Sequence, residues 1–288
     1  IVNRLKKIGF NNIIGLKQSI GLQSNIKINR IFKKYKPEYV FIASGKSGGI
    51  IENIKFPANL MIDNLLSQTY IIKSSFENHV KKLVFIGSSC VYPKSIKTSS
   101  KEKDLLSGSL EKTNQSYSIA KISGIELCRA YRLQHKANFF SVIPTNIYGP
   151  GDDFDKEDMH VIPSLIKKIY YAKQKKLKKI KLLGTGKPLR EFIYVDDFSS
   201  ACIELIKSNK KFDLVNIGSG QTIKIHELAN LVKNIVNYEG KIIFSSTKFD
   251  GSKEKKLNLN KINSIGWKPK TSLNIGLKKT YIDFLKKI

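Results

Sequence analysis

A doubly wound parallel α/β sheet is the fold class that three features of this 288-residue sequence predict. Apolar, β-branched runs alternate with longer stretches of helical periodicity. The runs are apolar throughout, as strands covered by helices on both faces must be. Two of them end in small or turn-forming residues, "GSSCVYP" at 87–93 and "PTNIYGP" at 144–150. Those are the carboxyl ends of strands, beyond which open parallel sheets bind ligands.

The chain opens on "IVNRLKKIGF", where Ile1, Val2, Leu5 and Ile8 fall at helical spacing and Gly9 supplies a C-terminal stop. Strands are expected at 11–16, 38–44, 81–89, 138–146, 179–184 and 213–219, with helices at 26–35, 58–78 and 115–135 between them. Past residue 150 the alternation loosens. The acidic "GPGDDFDKED" leads to a helix near 160–175, and short elements follow irregularly to the end. Residues 1–150 are therefore expected to form the sheet domain, and 151–288 a smaller lobe with some segments returning to the sheet.

Length and a hydrophobic content of 41% suit a sizeable core. No apolar run reaches the roughly 18 residues of a membrane span, so a cytoplasmic protein with no membrane partner is expected. Cys90, Cys128 and Cys202 form no C-x-x-C pair, and the four histidines show no ligand spacing; neither a disulfide framework nor a metal is expected. The formal charge of +28 comes from lysine spread along the whole chain, with arginine only at 4, 30, 129, 132 and 190. That pattern matches an AT-rich coding bias. The densest run, "KQKKLKKIK" at 173–181, lacks aromatics for base stacking, so no nucleic acid is expected. A positive field still attracts anionic small molecules.

"YSIAK" places Tyr117 and Lys121 four residues apart, on one face of the 115–135 helix. An ammonium beside a phenol favours the phenolate, so Lys121 is expected to lower the Tyr117 pKa. Ser88, at the end of the preceding strand, could bond a substrate carbonyl in the same crevice. Taken singly, each residue has a plainer reading. A Gly-Ser-Ser turn is ordinary loop chemistry, Cys90 can pack as a small hydrophobe, and His160 can cap or pack at a helix start.

Together, serine at a strand end, Y-x-x-x-K on the next helix and "PTNIYGP" after the next strand resemble the extended short-chain dehydrogenase/reductase family acting on nucleotide sugars. "ASGKSGGI", "NLMIDNLL", "HVIPSLI", "GTGKPLREFIYVDD", "NIGSG" and "GWKP" extend the resemblance over essentially the whole chain, closest to the family's GDP-keto-sugar epimerase-reductases. The resemblance implies a Rossmann-like fold binding NADP(H) within residues 1–150, a GDP-sugar substrate held by 151–288, and a homodimer through the 58–78 and 115–135 helices. The implied activity is 3,5-epimerisation of GDP-4-keto-6-deoxymannose, then 4-keto reduction to GDP-L-fucose. In it Ser88, Tyr117 and Lys121 would be the reductase triad, Cys90 the base at C3 and C5, and His160 the acid returning protons. Ile86, Gly87, Ser88, Ser89, Lys121, Pro144, Thr145, Asn146, Ile147 and His160 would meet the cofactor, with Lys17 at its 2′-phosphate. Arg190 would bind the substrate diphosphate, or else pair with Glu191 or Asp196; Lys168, Leu183 and Asp250 would be the other substrate contacts.

Three departures from the family pattern stand out. The family's first strand and glycine-rich phosphate loop are not in this sequence, which reads as a partial gene product. Leu183 stands where tryptophan is expected, and Lys253 and Asn258 replace a proline and an aspartate. Rival readings are another nucleotide-sugar epimerase or dehydratase, and a non-catalytic basic binding module. Dehydratases of the family carry Thr-Asp-Glu where this chain has Ser88, Ser89 and Cys90.

Overall fold

The structure, a computed structural model, describes residues 1–16, 21–96, 98–155, 159–245 and 253–288. The first half runs α1 (Val2–Lys7), α2 (Asn25–Tyr35), β1 (Tyr39–Ile42), α3 (Ile50–Lys55), α4 (Pro57–Glu77), β2 (Lys82–Ile86), α5 (Gln115–His135), β3 (Phe139–Pro144) and β4 (Asn146–Tyr148). It continues through α6 (Val161–Gln174), β5 (Lys179–Leu182), β6 (Leu189–Tyr194), α7 (Val195–Lys207), β7 (Leu214–Ile217), β8 (Thr222–Lys224) and α8 (Ile225–Val236). The chain closes with β9 (Lys241–Phe244), β10 (Glu254–Lys255), α9 (Asn260–Asn263) and α10 (Leu273–Leu285). None of the described helices is long and apolar enough to cross a membrane.

The main sheet is parallel, in the order β1-β2-β3-β7. Its strands are apolar on both sides because both sides are covered. Leu83, Phe85, Phe139 and Ile143 pack with Ile72 of α4 and Ile125 of α5. On the other face Val84, Phe140, Val142 and Val215 pack with Phe198, Ala201 and Leu205 of α7. The register pairs Ile86 with Val142 and Pro144 with Ile217, so β3 and β7 end level and β2 ends two residues earlier. Everything after Ile86 and Pro144 is thereby delivered to one edge.

A second sheet has β6 between β4 and β10, both parallel to it, with β8 antiparallel to its first residues. With α6, α8 and α10 it encloses a separate apolar core around Tyr148, Ile169, Phe192, Leu228 and Phe284. Glu191 of β6, fully buried at 0% exposed, ties this sheet to its surroundings. Its Oε1 accepts from Gly220 N–H at 2.7 Å and its Oε2 from Leu257 N–H at 3.0 Å.

Two expected strands need correcting. Residues 11–16 are not a strand: 12–16 line, together with β1, a cleft of about 1140 Å³, and a backbone that pairs with no neighbouring edge has no ladder to join. The 179–184 strand exists as 179–182, but it pairs with β9 outside the main sheet. The expected helices at 26–35, 58–78, 115–135 and 160–175 appear as α2, α4, α5 and α6. Gly9 does stop α1, with a φ of 91°, its own N–H bonding to Lys6 and that of Phe10 to Leu5. The "LREFIY" strand, β6, is the main element that the irregular second-half pattern concealed.

Glu191→Ala leaves the buried Leu257 N–H and the part-buried Gly220 N–H without their acceptor, at a cost of about 2–3 kcal/mol. Calorimetry should show Tm lower by roughly 5–10 °C, with Glu191→Gln, which keeps one acceptor oxygen, losing less.

Candidate active site

Strand β2 ends because Gly87 N–H makes the last ladder bond, to Val142 O at 2.8 Å, and Ser88 then turns the chain. Ser88 is extended, with φ −154° and ψ 146°, and caps a single 3₁₀ turn over Ser89–Val91 by accepting from Cys90 N–H. The turn folds the chain back on itself. Cys90 Sγ thus comes within 3.2 Å of Ser88 Oγ, a thiol and a hydroxyl side by side at a strand end. Cys90, like Cys128 and Cys202, is a buried free thiol.

Helix α5 brings Tyr117 and Lys121 over the same strand end. Lys121 is 4% exposed, donates to the Ile86 carbonyl at 3.1 Å and lies 5.0 Å from the Phe85 ring centroid and 6.0 Å from that of Tyr117. Burial drives its pKa down from 10.5 to about 8, with Cys90 pulling the other way. The expected lowering of Tyr117 is not what the structure gives. Burial first, then Cys90 beside it, push the phenol up, opposed by a hydrogen bond with Ser88. Desolvation dominates, so the resting phenol is a protonated hydrogen-bond donor.

One cavity of about 620 Å³ collects almost every residue singled out in the sequence. From the end of the main sheet come Ile86, Gly87, Ser88, Ser89, Cys90, Pro144 and Thr145, from β4 of the second sheet Asn146 and Ile147, and from α5 Tyr117 and Lys121. The second lobe adds His160, Lys168, Leu183 and Arg190. His160 is the N-cap residue of α6 yet makes no side-chain capping bond, so capping is not its role. Lys168 lies eight residues on, about two helical turns along the same face. Leu183 is 53% exposed on the cavity wall. Arg190 Nη1 donates to its neighbour's carbonyl, Leu189 O, at 2.8 Å, while Glu191 points into the core, as alternation along β6 demands. Lys17 and Asp250 lie outside the described residues.

The wall next to Lys121 fits a bound dinucleotide. Thr145 Oγ1 is buried with no hydrogen-bond partner among the described residues, a polar atom left for a ligand. Gly45, in the loop after β1, packs so tightly that a Cβ would sit 2.9 Å from Lys121 Nζ and 2.8 Å from Asn64 Oδ1. Asn64 in turn holds the loop by donating to Lys46 O at 2.9 Å. Asn146 is already engaged, donating to Glu191 O at 2.9 Å, so it shapes the wall through the backbone of β6.

Two cavity residues were not apparent in the sequence, Glu111 and Lys255. Nothing in "SKEKK" separates Lys255 from the lysines beside it. The pairing of β10 with β6 sets Lys255 against Arg190 and turns it inward. Burial first, together with the Arg190 charge, holds its ammonium below the ordinary lysine value, while Cys90 and Glu111 act in the opposite sense. Among the described residues no group of His, Cys, Asp and Glu could hold a metal ion.

Residues 8–218 match the NAD dependent epimerase/dehydratase family. The chain is 44% identical over 290 aligned positions to GDP-L-fucose synthase 1 of Arabidopsis thaliana, covering 100% of this chain and 90% of that protein. It resembles the solved structure of a GDP-6-OMe-4-keto-L-xylo-heptose reductase from C. jejuni, at TM-score 0.91 and 33% identity over 100% of this chain and 94% of that one. A GDP-L-fucose synthetase from Naegleria fowleri bound to NADP gives TM-score 0.90 and 28% identity, covering 99% and 88%.

Burying Lys121 as an ammonium costs on the order of 3 kcal/mol, the fall from 10.5 to about 8 in free-energy terms. Lys121→Met should therefore be more stable at pH 7 by about 1–2 kcal/mol, after the Ile86 carbonyl loses its donor. Between pH 8 and 10.5 the folded parent has shed this proton while the unfolded chain keeps it, so the parent gains stability with rising pH. The advantage of the variant should shrink across that window in urea titrations.

Proposed function

The chain belongs to the NAD dependent epimerase/dehydratase family, and from that premise we propose that it converts GDP-4-keto-6-deoxy-D-mannose to GDP-L-fucose by 3,5-epimerisation and NADPH-dependent reduction at C4. The observation that carries this reading is Cys90 Sγ at 3.2 Å from Ser88 Oγ, in one cavity with Tyr117, Lys121 and His160. A ketone needs two kinds of help here. Its oxygen must be held and protonated for reduction, and its neighbouring carbons must lose and regain protons for inversion.

Ser88 and Tyr117 hold the C4 oxygen by donating to it, and Tyr117, a protonated phenol, delivers the proton when the alkoxide forms. NADPH supplies the hydride. Lys121, fixed by Ile86 O, keeps the nicotinamide ribose and Tyr117 in register. The carbons next to C4 lie two bonds from the oxygen that Ser88 holds, hence within reach of Cys90, the base. His160, brought from the second lobe, returns protons from a different direction, which inversion requires. Arg190 offers a guanidinium fork to the diphosphate, with Lys168 and Leu183 along the rest of the substrate and the net positive field drawing it in. Asp250 and Lys17 keep their proposed contacts with substrate and cofactor.

Residues 1–150 are read as the NADP-binding domain and 151–288 as mainly the substrate lobe, with β7 and α7 returning to the main sheet. We read the assembly as a cytoplasmic homodimer through α4 and α5, whose outer faces expose Ile62 and Ile119; sedimentation of the purified protein tests it. The likeness to a heptose reductase favours a second reading, reduction without epimerisation. That chemistry uses Ser88, Tyr117 and Lys121 and has no need of Cys90. Product NMR with the GDP-keto-sugar and NADPH separates the two: GDP-L-fucose supports the first, an unepimerised 6-deoxyhexose the second.

Tyr117→Phe should suppress NADPH oxidation by about 10²-fold or more while deuterium from solvent still enters the keto-sugar ring. Cys90→Ser should do the reverse: exchange at C3 and C5 falls by orders of magnitude, because a serine hydroxyl is far too weak an acid to be ionised, and slow reduction yields a GDP-6-deoxyhexose other than fucose. Near-parental exchange in Cys90→Ser removes the thiol from the mechanism.

A further inference from the structure

Two inversions by one acid–base pair pose a problem of proton accounting, given the reading above. After the first inversion Cys90 carries the abstracted proton and His160 has given one up. Neither can repeat its step until the thiol has lost a proton and the imidazole regained one. His160 is exposed and can be refilled from solvent. Cys90 is buried, so its proton needs a way out.

A second cavity of about 30 Å³ adjoins the main one, large enough for a water molecule, which needs roughly 10–15 Å³. Ser89, Cys90, Glu111 and Lys255 line both, so these four form the wall between them. The Glu111 side chain is 13% exposed; its Oε2 makes no hydrogen bond, although Lys94 Nζ lies at ion-pair distance, 3.4 Å. Lys94 is 58% exposed and marks the solvent end. The backbone around Lys255 is pinned on both sides, by its register with Arg190 and by Ser100, whose N–H donates to Lys256 O at 2.9 Å and which bridges to Leu257.

We propose that Lys255 and Glu111 carry the proton from the Cys90 thiol to solvent between the two inversions, resetting the base. The Lys255 ammonium first passes a proton, directly or through a water in the small cavity, to the Glu111 carboxylate, which releases it beside Lys94. The S–H bond then breaks and its proton joins the lone pair so freed on Lys255, leaving a thiolate beside an ammonium. One proton moves from thiol to solvent and no electrons are exchanged. An amine already held below its ordinary basicity by burial and by Arg190 can accept and release a proton in this way.

The test is single-turnover deuterium incorporation at C3 and C5 of GDP-4-keto-6-deoxymannose, with NADP⁺ present, read by NMR. Lys255→Arg keeps the positive charge but cannot surrender a proton. It should exchange the first position near the parental rate and the second on the order of 100-fold more slowly, releasing a singly inverted ketone. Glu111→Gln should show the same asymmetry, and methylamine should restore the second exchange to Lys255→Ala, which also covers failure of the arginine variant to fold. Equal slowing at both positions, or none at either, overturns the relay. A parental protein that exchanges neither position overturns the proposed function itself.

Discussion

The site depends on one buried ammonium. Lys121 sits at the junction of α5 and the end of β2, with its charge directed at the Ile86 carbonyl at 3.1 Å. That bond fixes the rotation of α5 about its axis, which in turn sets where Tyr117, one turn earlier, meets the Ser88–Cys90 turn. The loop after β1 closes over the same ammonium, so close at Gly45 that a Cβ there would displace the Lys121 or Asn64 side chain. Helix, strand end and loop are all positioned against one group whose burial is unfavourable. A lysine left so poorly solvated is a cost accepted for geometry, as at many functional sites.

A second buried charge organises the other half. Glu191 links β6 to the turn at Gly220 and to Leu257, and β6 carries Arg190 on its opposite face. The same strand thus holds the lobe together with one residue and faces the cavity with the next. Asn216 adds a parallel link: its N–H donates to Glu102 Oε1, its side-chain amide to Ser100 O and Asn258 O, and its Oδ1 accepts from Tyr92. These bonds lock the irregular chain after Cys90 against β7 and the segment following β10. The surroundings of Cys90 are therefore tied together by side-chain hydrogen bonds although they contain little regular structure.

The electrostatics of the cavity reverse a simple pairwise argument. Tyrosine and lysine one turn apart imply a lowered phenol pKa, yet the phenol is raised and the lysine lowered. Both shifts follow from removing the pair from water, which disfavours whichever form is charged. The desolvated phenol therefore rests in its neutral form, a hydrogen-bond donor.

Much of this was legible in the amino-acid sequence. The apolar runs at 81–89 and 138–146 and the long helices at 58–78 and 115–135 declared a covered parallel sheet, because strands and helices of that length have distinct periodicities. Ser88, Cys90, Tyr117, Lys121, His160 and Arg190 stood out because they sit in ordered motifs, and one cavity brings them together. Where an element's state depends on a distant neighbour, the local pattern was silent or misleading. Residues 11–16 have the composition of a strand but no adjacent edge to pair with, and 179–182 joins β9 instead of the main sheet. Glu111 and Lys255 could be found only in three dimensions, since each is one charged residue among many in a lysine-rich chain. Sequence determines which residues prefer which local conformation; only tertiary packing decides which charges lose their water, and that loss is what shifts the proton affinities of Lys121, Tyr117 and Lys255.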